Sequence, residues 1–325
     1  MSLSSKLSAV LTLGLTGLAA LQPRAAHAAA DAVQYKSVKV GDLDIFYREA
    51  GPRDAPTVLL LHGFPTSSFM FRNLIPRLAD RYHVIAPDYP GYGQSSFPSR
   101  DQFKYTFENL SKVIAGFTDA LGLKRYALYI QDYGSPIGLR LAFAHPERVT
   151  ALIVQNGNAY EEGLSDEWAP LRELWKSPTP ANREQVRHFL TAEGTRQQYV
   201  GSVPPAQVPA VSPDTWTLDW SLMQRPGNID VQLDLFGDYG SNVALYPKFH
   251  EYFRTYQPAT LIVWGRHDPF FTVAGAEAYK RDIPKAELHL LDAGHFALET
   301  EGAAIASYIR AFLAKQSAYK VARNQ

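Results

Sequence analysis

From residue 57 onward one pattern recurs along the chain. A short apolar run is followed by a turn and then by a longer stretch with helical spacing. The runs are Thr57–His62, Tyr82–Ala86, Tyr126–Ile130, Ala151–Val154, Thr260–Trp264 and Glu287–Leu291. A continuous apolar run has no polar face for water, so each reads as a strand buried on both sides, as in a parallel sheet covered by helices. Helical patterns fall between them at Phe69–Leu78, Phe107–Leu121, Ile137–Ala144, Ala274–Ile283 and Ala303–Leu313. Strand and helix in this alternation predict a doubly wound α/β domain. Ahead of it, Tyr35–Val40 and Asp42–Arg48 alternate around Gly41 and predict an antiparallel hairpin, which makes eight strands. The rhythm breaks once. Between Asn158 and about Tyr246 there are helical stretches, proline joints and four of the five tryptophans, but no buried-strand run. The expected organisation is therefore a core domain of residues 29–158 and 247–325, with a helical cap of residues 159–246 inserted after strand 6.

Composition removes several alternatives. The chain balances 32 basic against 32 acidic side chains, so no nucleic-acid partner is expected. Without cysteine it has no disulfide, thiolate metal site or thiol nucleophile. No His/Asp cluster has metal-ligand spacing and no dinucleotide or phosphate loop is present, so neither a metal nor an organic cofactor is expected. Residues 1–28 read as a secretory signal peptide. Lys6 gives a positive start, Leu7 to Leu21 is almost wholly apolar, and Ala26-His27-Ala28 forms a cleavage pattern. Fifteen residues span a bilayer poorly, so cleavage after Ala28 and a periplasmic or secreted chain with no stable membrane anchor are expected. The pattern leaves the oligomeric state open.

In a doubly wound sheet, reactive groups sit where strands end and turn into helices. After Tyr126–Ile130 comes Gln131-Asp132-Tyr133-Gly134-Ser135, shaped like a nucleophile elbow with aspartate in the nucleophile position. Asp132 there lies at a helix N-terminus, whose dipole favours the ionised, nucleophilic carboxylate. Helix N-cap duty is the plainer role for such an aspartate. Asp268 follows the strand Thr260–Trp264, and His295 follows the last strand in a Gly-His turn. Nucleophile, acid and histidine thus occur in α/β-hydrolase order on one edge of the sheet. After the first buried strand, Leu61-His62-Gly63-Phe64-Pro65 brings the Phe64 amide beside that of Tyr133 as a two-donor oxyanion hole. His62 and the Asp88–Ser95 loop are expected to be structural.

The motifs HGFPTSSFMFRNLIP, APDYPGYGQS, QDYGSPIG, WGRHDP and AGHF resemble the α/β-hydrolase branch that holds epoxide hydrolases and haloalkane dehalogenases. The resemblance spans roughly residues 35–320 and implies Asp132 as nucleophile, His295 as base, Asp268 as its orienting acid, and an alkyl-enzyme ester intermediate. An epoxide hydrolase also needs cap tyrosines to protonate the opening oxygen; the resemblance points to Tyr239, with Tyr199 as a second. A dehalogenase instead binds departing halide with N–H groups, commonly from a tryptophan after the nucleophile. This chain has Tyr133 there, leaving Trp168, Trp175, Trp216 or Trp220 to compensate. Epoxide hydrolysis is the preferred expectation, with dehalogenation as alternative and a non-catalytic binding protein as a remote one. The substrate is expected to be small, apolar and uncharged.

Overall fold

The computed structural model describes residues 32–316, and the signal-peptide segment lies outside these residues. One eight-stranded sheet runs through the molecule: β1 Gln34–Val40, β2 Leu43–Ala50, β3 Thr57–Leu61, β4 His83–Pro87, β5 Tyr126–Gln131, β6 Val149–Gln155, β7 Thr260–Gly265 and β8 Glu287–Leu291, in the order β1-β2-β4-β3-β5-β6-β7-β8. Strand β2 pairs antiparallel with β1 and β4, and every pair from β4 to β8 is parallel. The expected architecture is present, with the hairpin turning at Gly41, where φ is +57°.

Alternate residues of the central strands enter two separate apolar cores. Leu59 and Leu61 of β3, with Leu128 and Ile130 of β5, face one; Val58, Leu60, Ala127 and Tyr129 face the other. That is why the runs are apolar throughout: neither face of the sheet meets water. Each fully buried leucine contributes about 1.5–3 kcal/mol of transfer free energy. A truncation such as Leu59→Ala costs about 2–5 kcal/mol.

Eleven α-helices lie among the described residues: α1 Ile75–Leu78, α2 Phe107–Ala120, α3 Gly134–Ala144, α4 Ala169–Lys176, α5 Pro180–Gln185, α6 Ala192–Val200, α7 Asp214–Met223, α8 Asn228–Asp238, α9 Gly240–Tyr256, α10 Val273–Asp282 and α11 Ala297–Lys315. Helix α2 starts at Thr106, whose hydroxyl accepts from the Asn109 amide. The helix expected over Phe69–Leu78 is instead a 3₁₀ turn, Ser68–Phe71, followed by the single turn α1. Pro76 causes the break, since a residue without an N–H fits only a helix's first turn. Helices α4 to α9 all fall between β6 and β7, forming the helical insertion after strand 6. The boundary expected at 246/247 falls inside α9, which continues through Pro247 to Tyr256 and packs on α3 of the core. Proline there removes one ladder hydrogen bond but does not end the helix.

Among the described residues no helix is long and apolar enough to cross a membrane. The pairing register aligns the strand ends, with Leu61 opposite Ile130, Gln131 opposite Gln155, and Gly265 opposite Leu291. The loops leaving β3, β5, β6, β7 and β8 therefore emerge side by side beneath the insertion.

Candidate active site

The loop after β5 is forced into a sharp turn. Asp132 has φ +48°, a left-handed conformation that a non-glycine residue adopts only when its surroundings impose it. Its amide donates to the Asn156 carbonyl (3.2 Å) and its carbonyl accepts from Ser135 N (2.9 Å), which starts α3 at once. Gly134 is required because a Cβ there would run into the Leu61 carbonyl. The carboxylate of Asp132 thus projects, almost wholly buried, from the N-terminal end of α3.

Its two oxygens have different surroundings. Oδ1 accepts the Phe64 amide at 2.6 Å, and the Tyr133 amide also hydrogen-bonds to the carboxylate. Oδ2 lies 3.9 Å from Nε2 of His295. The opposite side of that imidazole is fixed, with Nδ1 donating to Asp268 Oδ2 at 2.8 Å. Asp268 is itself saturated: Oδ2 also accepts from Asn156 Nδ2 (2.7 Å), and Oδ1 accepts the Phe270 and Phe271 amides (2.8 and 3.1 Å). The structure therefore brings Asp132, Asp268, His295, Phe64 and Tyr133 together.

Burial pushes the Asp132 carboxyl up to about 6, against the lowering influence of His295 and of the Phe64 and Tyr133 amides. Burial lowers the affinity of His295 for its proton, but Asp268 and, more weakly, Asp132 outweigh it, so the imidazole titrates above its ordinary range. The two structural expectations also agree with the geometry. His62 is buried and pushed down to about 3 by desolvation; it bonds to the Gly63 carbonyl (2.9 Å) and stacks on Tyr89 (4.0 Å), holding the oxyanion loop. Asp88 accepts the Ser68 and Gln94 amides (2.7 and 2.8 Å) and shapes the adjoining loop.

Asn156 went unnoticed in the sequence, although it follows β6 as Asp268 follows β7. It too has positive φ (+42°), and its side chain ties the Gly265 amide (2.9 Å) to Asp268, so it positions the acid loop. Its place at a strand end, before Gly157, was the available signal.

Above Asp132 lies a cavity walled by Phe64, Tyr133, Trp168, Phe189, Phe236 and Phe270. Tyr133 lines it, and its buried hydroxyl has no hydrogen-bond partner. Tyr239 stands behind this wall, packed on Tyr133 (6.0 Å between rings), Phe107 (5.4 Å) and Trp168 (4.5 Å). Tyr199, expected as a second ring-opening acid, is placed elsewhere: it stacks on Phe296 at 4.1 Å, its hydroxyl donates to Asp219 (2.5 Å), and it is not among the residues lining the cavity. Nor do the tryptophans offer a free indole. Trp168 donates to the Phe270 carbonyl (2.9 Å) and Trp175 to that of Phe236 (2.8 Å), while Trp216 and Trp220 are not among the lining residues.

Residues 56–302 match the family model described as alpha/beta hydrolase fold. A hydrolase of Saccharomyces cerevisiae, named YNR064C and described as uncharacterized, is 45% identical over 87% of this chain and 98% of its own length. A haloalkane dehalogenase of Mycobacterium marinum is 39% identical over a shorter stretch, 39% of this chain and 43% of the relative. Among solved structures, a variant of the haloalkane dehalogenase DatA from Agrobacterium tumefaciens superposes with a TM-score of 0.66 at 26% identity, covering 88% of this chain and 99% of that one.

Proposed function

The chain belongs to the α/β-hydrolase family, and from that premise we propose that it is an epoxide hydrolase working through an aspartyl ester. The observation that carries the mechanism is the unequal setting of the two Asp132 oxygens. Oδ1 is held by backbone amides, whereas Oδ2 faces His295 and the cavity. A carboxylate so held is a competent nucleophile that needs no base to activate it. Oδ2 attacks an epoxide carbon, the ring C–O bond breaks, and its electron pair stays on the departing oxygen, which takes a proton from a phenol. The product is an ester of Asp132. Esterification removes the Asp132 charge, one of the influences holding a proton on His295. His295, oriented by Asp268, then takes a proton from water as its oxygen attacks the ester carbonyl. The Phe64 and Tyr133 amides hold the resulting oxyanion, each worth about 3 kcal/mol in such a role. Collapse releases the diol, to whose departing oxygen His295 returns its proton, and the regenerated carboxyl gives up the proton that restores the phenol. A serine in this place would end as a stable ether; the aspartyl ester can be hydrolysed.

The leaving-group side favours an epoxide over a halide. Tyr133 lines the cavity with an unpartnered hydroxyl and Tyr239 packs directly behind it, while the indole N–H groups of Trp168 and Trp175 are engaged by carbonyls. Dehalogenase relatives support the second reading, in which halide leaves with its electron pair and no phenol is needed. One assay separates the two: styrene oxide and 1,2-dibromoethane are incubated with the enzyme, and diol and bromide are measured. Diol formation that falls at least tenfold in Tyr239→Phe supports the proposal. Bromide release without diol overturns it.

A further inference from the structure

The cavity wall carries a buried polar side chain that the mechanism leaves unused. Gln198, on α6 of the insertion, is 5% exposed and lines the same cavity as Asp132 and His295. No hydrogen bond ties its amide to a neighbour among the described residues. Its helix neighbour Gln197 is exposed and bonds to Glu193 within its own helix, so the two glutamines have different surroundings. An amide on the cavity lining with no protein partner is open to pair with water or with a polar group of a ligand.

The charge around the cavity limits what can satisfy it. Asp132 lies at the floor and Glu167 on the lining, and no lysine or arginine lines the cavity. A carboxylate or phosphate on the substrate meets the like charges of Asp132 and Glu167, and the one imidazole on the lining, His295, is already paired with Asp268. The aromatic wall takes an apolar body, and the amide offers one N–H pair and one carbonyl oxygen. A hydroxyl satisfies either half; an ether or carbonyl satisfies the donor half.

We propose that Gln198 is a substrate-recognition residue, and that the enzyme acts on neutral substrates carrying a hydroxyl, ether or carbonyl group beyond the reacting carbon in preference to bare hydrocarbon analogues. The inference rests on the hydrolase mechanism proposed above and revises the expectation of a small, apolar, uncharged substrate to a neutral one with a distal polar group. Gln198 touches the substrate's distal polar group and takes no part in bond making or breaking.

The test compares near-isosteric epoxides at two lengths: glycidol with 1,2-epoxybutane, and 3,4-epoxybutan-1-ol with 1,2-epoxypentane. In the wild-type enzyme kcat/KM is expected to favour the hydroxylated member of at least one pair by roughly tenfold, the scale of one good hydrogen bond. In Gln198→Met, which keeps length and removes both polar groups, the ratio of kcat/KM within each pair is expected to fall to one or below. Gln198→Glu introduces an acceptor and a charge, and is expected to keep some preference for the hydroxyl while slowing the hydrocarbon epoxides. A hydroxyl preference unchanged in Gln198→Met, or a wild-type preference for the hydrocarbon at both lengths, overturns the inference. If no epoxide is converted but bromide is released from 1-bromobutane, the epoxide reading fails by itself. The Gln198 inference is then tested with 3-bromopropan-1-ol against 1-bromobutane, with the same expected ratios.

Discussion

On the proposed mechanism, Asp132 sets function against stability at a single residue. Its carboxyl titrates near 6 in the folded chain, against an ordinary value of 3.8. Below the ordinary value both folded and unfolded chains carry the proton, and the site does not penalise folding. As pH rises from 3.8 through about 6 the unfolded chain ionises first, and the folded state loses stability relative to it; above that the penalty is constant. The penalty is on the order of 3 kcal/mol at neutral pH. Asp132→Asn is therefore expected to abolish turnover while stabilising the fold by an amount of that order at pH 7, and by little at pH 4. Urea unfolding at the two pH values measures the difference. An equal gain at both would show that ionisation is not its source. Single residues also mark where sequence reasoning stops. Gln198 and Tyr199 are adjacent on α6, yet one lines the cavity and the other donates to Asp219. Adjacent helical side chains point about 100° apart, and α6 has too few apolar positions to reveal its phase from sequence.

At the scale of elements, the strands were legible because burial on both faces leaves a continuous apolar signature, and the cluster of Asp132, Asp268 and His295 was legible because all three follow strand ends. Asn156 satisfied the same positional rule, but its value depends on reaching Asp268 across the sheet, which spacing does not reveal. The course of α9 through Pro247 was hidden for a related reason: proline is a strong breaker in sequence, and packing against α3 overrides it. The loop after β3 gives the prediction at this scale. A Cβ on Gly63 would come within 2.5 Å of Gln131 Oε1 and 2.6 Å of Asp132 Oδ1. Gly63→Ala must push the oxyanion loop off the nucleophile. It is expected to lower kcat at least 100-fold, the scale of a lost oxyanion donor, with a smaller effect on KM. Steady-state kinetics on a folded variant decide it, and a change confined to KM would place the loop's role in binding.

Considered as a whole, the molecule stacks an aromatic insertion on a mostly parallel sheet, with Asp132, Asp268 and His295 at the seam. Core loops supply Asp132, His295 and Asp268, and the insertion supplies Trp168, Phe189, Gln198 and Phe236. On the proposed mechanism, chemistry and substrate choice thus reside in different parts of the chain. Sequence motifs reached the first part far better than the second. We also propose that the whole chain is exported with loss of residues 1–28. The N-terminal sequence of protein recovered from a periplasmic or culture fraction is expected to begin Ala29-Ala30-Asp31, and an intact Met1 start in that fraction would contradict export by cleavage.

The central claim is that one carboxylate bonds covalently to substrate and one histidine releases it. The most direct measurement is the intact mass of His295→Gln after brief exposure to styrene oxide. The account predicts an increase equal to one substrate molecule, located to the peptide bearing Asp132 and absent from the Asp132→Ala, His295→Gln double variant. An unmodified mass in a folded His295→Gln enzyme that has consumed substrate, or an adduct that persists without Asp132, would contradict it.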